Sequence, residues 1–309
     1  MDRSRFARFA WGLVIYNLAV VVWGAYVRAS VSGDGCGKHW PFCDGQIVPT
    51  VHRTATAIEY AHRVSSGLTL ALILIMFVWS FFAYRKGHPA RFGAALSLCF
   101  VFSEALLGAS LVLFGLVAHN DSVTRAWTMS AHLINTFLLL ASLVLTAWWA
   151  GGGGRLRLKS QGKVGVALGV GLLGVLLVGV SGSVAALVDT LYPAENLTKA
   201  LHQDLFPGVH TLIRLRIWHP LIATSVAAYC VLMAGYVQRK RKSDETEMFA
   251  RFVSILFVVQ IALGLLNLFM LAPIWMQLLH LLLADLLWVT LILLTASVLA
   301  KRIFPIEDY

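Results

Sequence analysis

Two ionisable residues three positions apart, Glu59 and His62, stand at the start of a long apolar run. Helical spacing puts a carboxylate and an imidazole on one face there. Ionisable groups in such runs are expensive, which makes them functional candidates. Three later apolar runs carry His132, His219 and His280 at comparable depth. Facing imidazoles across a four-helix bundle can ligate a b-type haem from both sides, so the spacing predicts two haems, one between His62 and His132 and one between His219 and His280. Any single histidine has the plainer alternative of a hydrogen bond to a neighbouring helix. Four at matched depth favour haem. Zinc fits less well, since no cysteine or carboxylate completes four ligands at the second pair.

The elements that must position these residues follow from composition. Of 309 residues, 59% are hydrophobic and 13% charged, and the mean hydropathy is +0.77. That excludes an ordinary soluble domain and predicts an all-α polytopic membrane protein. Eight spans are expected, at about 9–30, 58–84, 92–118, 128–150, 164–188, 211–237, 249–271 and 274–300. The first run lacks a small-residue cleavage site and reads as a helix, not a leader.

The net charge of +10 would suggest nucleic acid in a soluble domain, but here it is concentrated in particular loops. Arg85, Lys86 and Arg91 form one basic set; Arg155, Arg157, Lys159 and Lys163 form another; Arg239, Lys240, Arg241 and Lys242 a third. Arg3, Arg5 and Arg8 at one terminus and Lys301 and Arg302 at the other belong with them. The positive-inside rule makes all of these cytoplasmic, with both termini inside and the histidines toward the outer face.

Gly151 to Gly154 have linker composition and divide the chain four spans from four, as 1–150 and 151–309. Glu104-Ala-Leu-Leu-Gly108 echoes Gln260-Ile-Ala-Leu-Gly264, His132-Leu echoes His280-Leu, and His62 matches His219. An even number of spans per half gives parallel repeats, two pseudo-two-fold related four-helix bundles.

The halves differ at one position. Glu59 precedes His62 by three residues, whereas Arg216 precedes His219 by three. A carboxylate there can take a proton, orient water or stabilise positive charge, and an arginine suits haem propionates. Arg28, Arg63, Arg125 and Arg214 are either further propionate partners or interfacial anchors, the anchor being favoured for Arg125. Glu104 is either a proton relay or a hydrogen-bonding group across the bundle. His39, His52, His88, His119, His202 and His210 fall in loops and are expected to be solvated. Cys99 and Cys230 fall within spans and are expected to pack there as small hydrophobes.

Cys36 and Cys43 share the first outer loop with Trp40, Pro41 and Phe42, in a compartment that permits disulfides. A Cys36–Cys43 bridge is expected, either as a reducible electron conduit or as a staple that shapes a lid. A metal site from Cys36, His39 and Cys43 is the third alternative.

Taken together, Gly24-Ala-Tyr-Val-Arg28 through Ser32-Gly33, the cysteine loop with Trp40-Pro41, Glu59-x-x-His62-Arg63 and the later histidines resemble the haem A synthase family. The likeness is to its eight-helix bacterial type with a cysteine pair in the first outer loop, and it covers essentially the whole chain. It implies an enzyme that oxidises a ring methyl of haem O to the formyl group of haem A by successive hydroxylations, for respiratory terminal oxidases. It further implies His62 and His132 around haem O, a catalytic Glu59, and a haem b on His219 and His280. The cysteine pair would pass reducing equivalents, and haem O synthase and membrane lipid would be partners. The loop departs from relatives in reading Gly37-Lys38-His39-Trp40-Pro41-Phe42, and Glu104 stands where a glutamine is expected. The competing class is a di-haem b-type cytochrome carrying electrons from quinol; a repeat-built transporter is disfavoured by the scarcity of other intramembrane charge.

Overall fold

A backbone in hydrocarbon must satisfy its own hydrogen bonds, which leaves an apolar chain the choice of helix or closed barrel. The computed structural model describes residues 3–206 and 208–300, and among these it is helical with no β-strand. Lys301 and Arg302 lie outside the described residues. The helices are α1 (Arg3–Ala29), α2 (Thr54–Ala83), α3 (Pro89–Leu113), α4 (Val123–Ala150), α5 (Gly162–Leu191), α6 (Leu197–Leu205), α7 (Thr211–Arg216), α8 (Trp218–Lys240), α9 (Asp244–Phe269) and α10 (Ile274–Leu299). Eight segments are long and apolar enough to cross a membrane, with Thr211–Lys240 counted as one. This is a multi-pass membrane protein. Its spans rise about 40 Å, more than the roughly 30 Å of bilayer hydrocarbon, so their ends project beyond it.

The sixth span is broken at Ile217. Pro220 supplies the reason, since its ring clashes with the carbonyl four residues back, that of Arg216, and it offers no N–H. Other starts are set by caps. Ser122 accepts from the Arg125 amide at 3.2 Å, and Ser243 accepts from that of Thr246 at 3.1 Å, with Asp244, Glu245 and Glu247 in the first turn of α9. Two loop histidines are not merely solvated: Nδ1 of His88 caps α3 and Nδ1 of His210 caps α7. Helix α6 lies where the sequence suggested plain loop.

In the first half α1 packs on α2 and α4, and α3 on α2 and α4; in the second α5 packs on α8 and α10, and α9 on α8 and α10. The halves meet where α4 touches α5 and α10 and where α1 touches α5 and α10. Helices α4 and α10 are mostly buried, whereas at most about a third of each other span is buried. One buried cluster runs from Phe6 to Leu299 through both halves. At its seam Phe137 stacks on Trp288 with centroids 5.2 Å apart, and Trp288 Nε1 donates to the Phe137 carbonyl at 2.7 Å. Cys230 is buried in this core, but Cys99 faces outward from α3, contrary to its expected packing.

The basic loops gather at one end. The Tyr84 hydroxyl donates to the Ala150 carbonyl at 3.1 Å, Arg155 donates to the Gly87 carbonyl, and the Arg157 amide donates to the Leu299 carbonyl at 2.8 Å. The opposite end carries the cysteine loop, α6 and the starts of the four histidine-bearing spans.

Candidate functional site

Each of the four histidines is set against a glycine of the preceding span. A Cβ built on Gly24 would lie 2.9 Å from Cε1 of His62; on Gly182, 3.0 Å from Cε1 of His219; on Gly264, 3.1 Å from Cε1 of His280; and on Gly108, 3.8 Å from Cε1 of His132. Three of these separations are tighter than ordinary contact, so the imidazoles rest directly on helix backbone, where a missing side chain leaves room for a ring. The glycines recur in α1, α3, α5 and α9. Sequence reasoning quoted three of them in motifs without connecting them to the histidines.

His62 lies within electrostatic range of His132 and Glu104, and His219 within that of His280. Nδ1 of His62, of His132 and of His280 is buried without a hydrogen bond, while Nδ1 of His219 faces Ser181 Oγ at 3.0 Å. Two imidazoles per half, each backed by a glycine, fit an iron porphyrin held through ring nitrogens. Among the described residues no group of three or more His, Cys, Asp or Glu converges as a metal site.

Beside the first couple, Glu59 is 3% exposed and its two oxygens are fully engaged. Oε2 accepts from the Cys36 amide at 2.8 Å. Oε1 accepts from Arg63 Nε at 3.1 Å and from Nη2 at 2.5 Å. Arg63 then reaches the carbonyls of His39 at 2.5 Å and Phe42 at 2.6 Å through Nη1. The Thr56 hydroxyl donates to the Gly35 carbonyl at 2.7 Å. These bonds lash the loop onto the first turns of α2, and a Cβ on Gly35 would collide with the backbone of Ala55 and Thr56. Charge-assisted bonds of this kind are about twice as strong as neutral ones. Cys36 and Cys43 are joined in a disulfide, both buried, which removes the three-ligand metal alternative. Trp40 and Phe42 stay exposed.

The remaining guanidinium groups are placed differently from one another. Arg28 crosses between halves, with Nη1 donating to the Ala186 carbonyl and Thr190 Oγ1, each at 2.6 Å, and Nη2 to Gln277 Oε1 at 3.0 Å. Arg216 pairs with Asp189 at 3.0 Å and Asp204 at 2.5 Å. Neither aspartate was weighed in the sequence. Arg214 is exposed. Arg125 is buried, its Nη1 donating to the carbonyls of Ala118 at 2.6 Å and Asn120 at 2.7 Å; it closes the turn before α4 and is no surface anchor.

Against this geometry the comparison with known proteins is direct. The sequence profile of COX15-CtaA, described as cytochrome oxidase assembly protein, matches residues 7–292. The chain belongs to the COX15-CtaA family. A family member from Thermus thermophilus named Protoheme IX farnesyltransferase is 50% identical over 304 residues, which is 97% of this chain and 50% of that protein. Heme A synthase of Halalkalibacterium halodurans is 35% identical over 132 residues, 43% of this chain and 42% of its own length. Heme A synthase of Shouchella clausii is 35% identical over 128 residues, 41% of this chain and 40% of its own. The chain thus spans about half the length of the first of these relatives, and the COX15-CtaA match takes in all four histidines, all four facing glycines and the cysteine loop.

Proposed function

We propose that the chain is a haem A synthase, oxidising one ring methyl of haem O to a formyl group by successive hydroxylations and so making haem A for terminal oxidases. The observation that carries this reading is the set of four imidazoles, coupled two by two and each seated on a glycine. The names borne by the family's curated relatives support the choice of reaction.

In this reading His62 and His132 hold the substrate haem O in residues 1–150, and His219 and His280 hold a haem b in residues 151–309. A bound haem b supplies one-electron transfer. Glu59 is the catalytic carboxylate. Fixed by Arg63 and the Cys36 amide, it offers a preorganised negative charge where the methyl carbon loses electrons. Arg28, Arg63 and Arg216 must give up existing partners to meet propionates, so exposed Arg214 is the first choice for that role.

The name of the Thermus thermophilus relative supports a source of substrate. The Thermus thermophilus relative is twice as long as the aligned region and is named for farnesyl transfer to protohaem IX. Farnesyl transfer to protohaem IX is the class of reaction that would supply haem O to this site. The positive-inside rule supports a reading in which the basic loops lie in the cytoplasm and the disulfide end on the outer face of a bacterial plasma membrane.

The test is co-expression with a haem O source, followed by chromatography of the extracted haems. Haem A is the expected product. Glu59→Gln is expected to keep the haem b spectrum and yield no haem A; a normal yield would overturn the role of Glu59. A quinol-linked cytochrome would return its haem unaltered, and a protein free of any haem would refute the whole reading.

A further inference from the structure

Glu104 occupies, in the first half, the place that Gln260 occupies in the second: each stands four residues before the glycine that backs a histidine. The two make different contacts. Glu104 Oε1 approaches His132 Nδ1 to 3.5 Å. Its carboxylate is aimed there by two neighbours on α4. Asn135 Nδ2 donates to Oε2 at 2.5 Å, and the Thr136 hydroxyl donates to Oε1. Asn135 is itself fixed, donating to the Phe100 carbonyl at 2.9 Å and accepting from Ser103 Oγ at 2.6 Å. Gln260 instead sets its amide nitrogen 3.2 Å from Nε2 of His280 and donates to the His280 carbonyl at 3.1 Å. The first half thus sets a carboxylate at Nδ1 of its histidine, whereas the second sets a neutral amide at Nε2.

We propose that Glu104 is a positioning residue for His132, accepting the Nδ1 proton so that Nε2 is the nitrogen presented to iron, and making His132 a stronger donor than His280. The inference rests on the haem reading above. It follows from how ligand imidazoles behave: a carboxylate on the far nitrogen fixes the tautomer and ring orientation and raises ligand basicity. A more basic axial ligand favours ferric over ferrous iron. The 3.5 Å approach is that of an ion pair or a long polar contact. Such a difference suits a half that carries out oxidation beside one that passes electrons. It also accounts for a carboxylate that Asn135 and Thr136 would not need for bundle packing alone.

The test uses the full chain loaded with haem b and, anaerobically, with haem O. Two readouts are taken for each site: the midpoint potential and the iron–histidine stretching frequency of the ferrous form. Glu104→Gln is expected to raise the potential and lower the frequency of the first-half haem, leaving the second-half haem unmoved. Thr136→Val frees the carboxylate of one donor and is expected to shift both readouts the opposite way. A packing role for Glu104 predicts no such opposed shifts. Unmoved values, or shifts of one sign in Glu104→Gln and Thr136→Val, would overturn the inference while leaving the haem reading intact. A wild-type chain that binds no haem would instead overturn the reading on which it rests. Should Glu104→Gln fail to accumulate, Thr136→Val alone decides, by the presence or absence of its shift.

Discussion

The backbone amide of Cys36 donates to Oε2 of Glu59 at 2.8 Å, so a half-cystine and the carboxylate assigned to catalysis share one hydrogen bond. Any change in the bridge is felt at Glu59 through one peptide unit. The cysteine pair therefore acts on the carboxylate's position whether or not it also passes electrons.

Replacing both cysteines by serine, Cys36→Ser with Cys43→Ser, removes a closed loop of eight residues, worth about 2–3 kcal/mol by chain entropy. Amide exchange over residues 36–46 should rise and haem A yield fall several-fold, with the haem b spectrum retained. Unchanged exchange would mean that Arg63 and Thr56 hold the loop unaided.

The facing glycines form a graded series. Gly24→Ala, Gly182→Ala and Gly264→Ala each force a methyl against an imidazole, at an overpacking cost of about 1–3 kcal/mol. Haem retention should drop about tenfold at the site touched. Gly108→Ala, with 3.8 Å to spare, should retain its haem. Titration of apoprotein with haem checks the order, and equal losses at all four positions would refute it.

Arg216 is held between Asp189 and Asp204, with side-chain exposures of 14%, 22% and 18%. Arg216→Met should leave two partly buried carboxylates without a cation and lower stability by about 1–3 kcal/mol, screened below the cost of a deep pair. Thermal melts of the haem-free protein measure it, and adding Asp189→Asn should recover part. Arg214→Gln should leave the melt unchanged and weaken haem retention.

Asp285 is fully buried in α10, and among the described residues neither of its oxygens has a hydrogen-bond partner. An unsatisfied buried polar group costs about 1–3 kcal/mol. Asp285→Leu should therefore raise the melting midpoint. A fall would show that the carboxyl meets a polar partner in the working protein.

The eight spans were legible because a bilayer admits few alternatives to a run of apolar residues. Their ends were not, since helices continue past the apolar core: α2 begins at Thr54 instead of near 58 and so gains Thr56, which ties down the loop. The break at Ile217 was written in Pro220 and passed over. Helix α6 is too short and polar to announce itself by apolar length, and with it Asp204 was missed as a partner for Arg216. The depth and repetition of the four histidines were legible in the sequence. Their glycines were not, because nothing in a glycine's neighbours along the chain says what stands opposite it. Glu104 announced a cost in hydrocarbon, but only folding shows which imidazole it faces. Arg125 read as a surface anchor because its acceptors are loop carbonyls that no side-chain pattern reveals.

The seam along α4 and α10, where Phe137 stacks on Trp288, also decides what a cut would do. A protease nick at Gly152 severs a tether that bears little of the cohesion between the two pieces. Neither fragment can hide its half of that greasy face from detergent by itself, so they should travel as one particle in gel filtration. Either piece made alone should be recovered as aggregate, and mixing the two genes in one cell should restore a working unit.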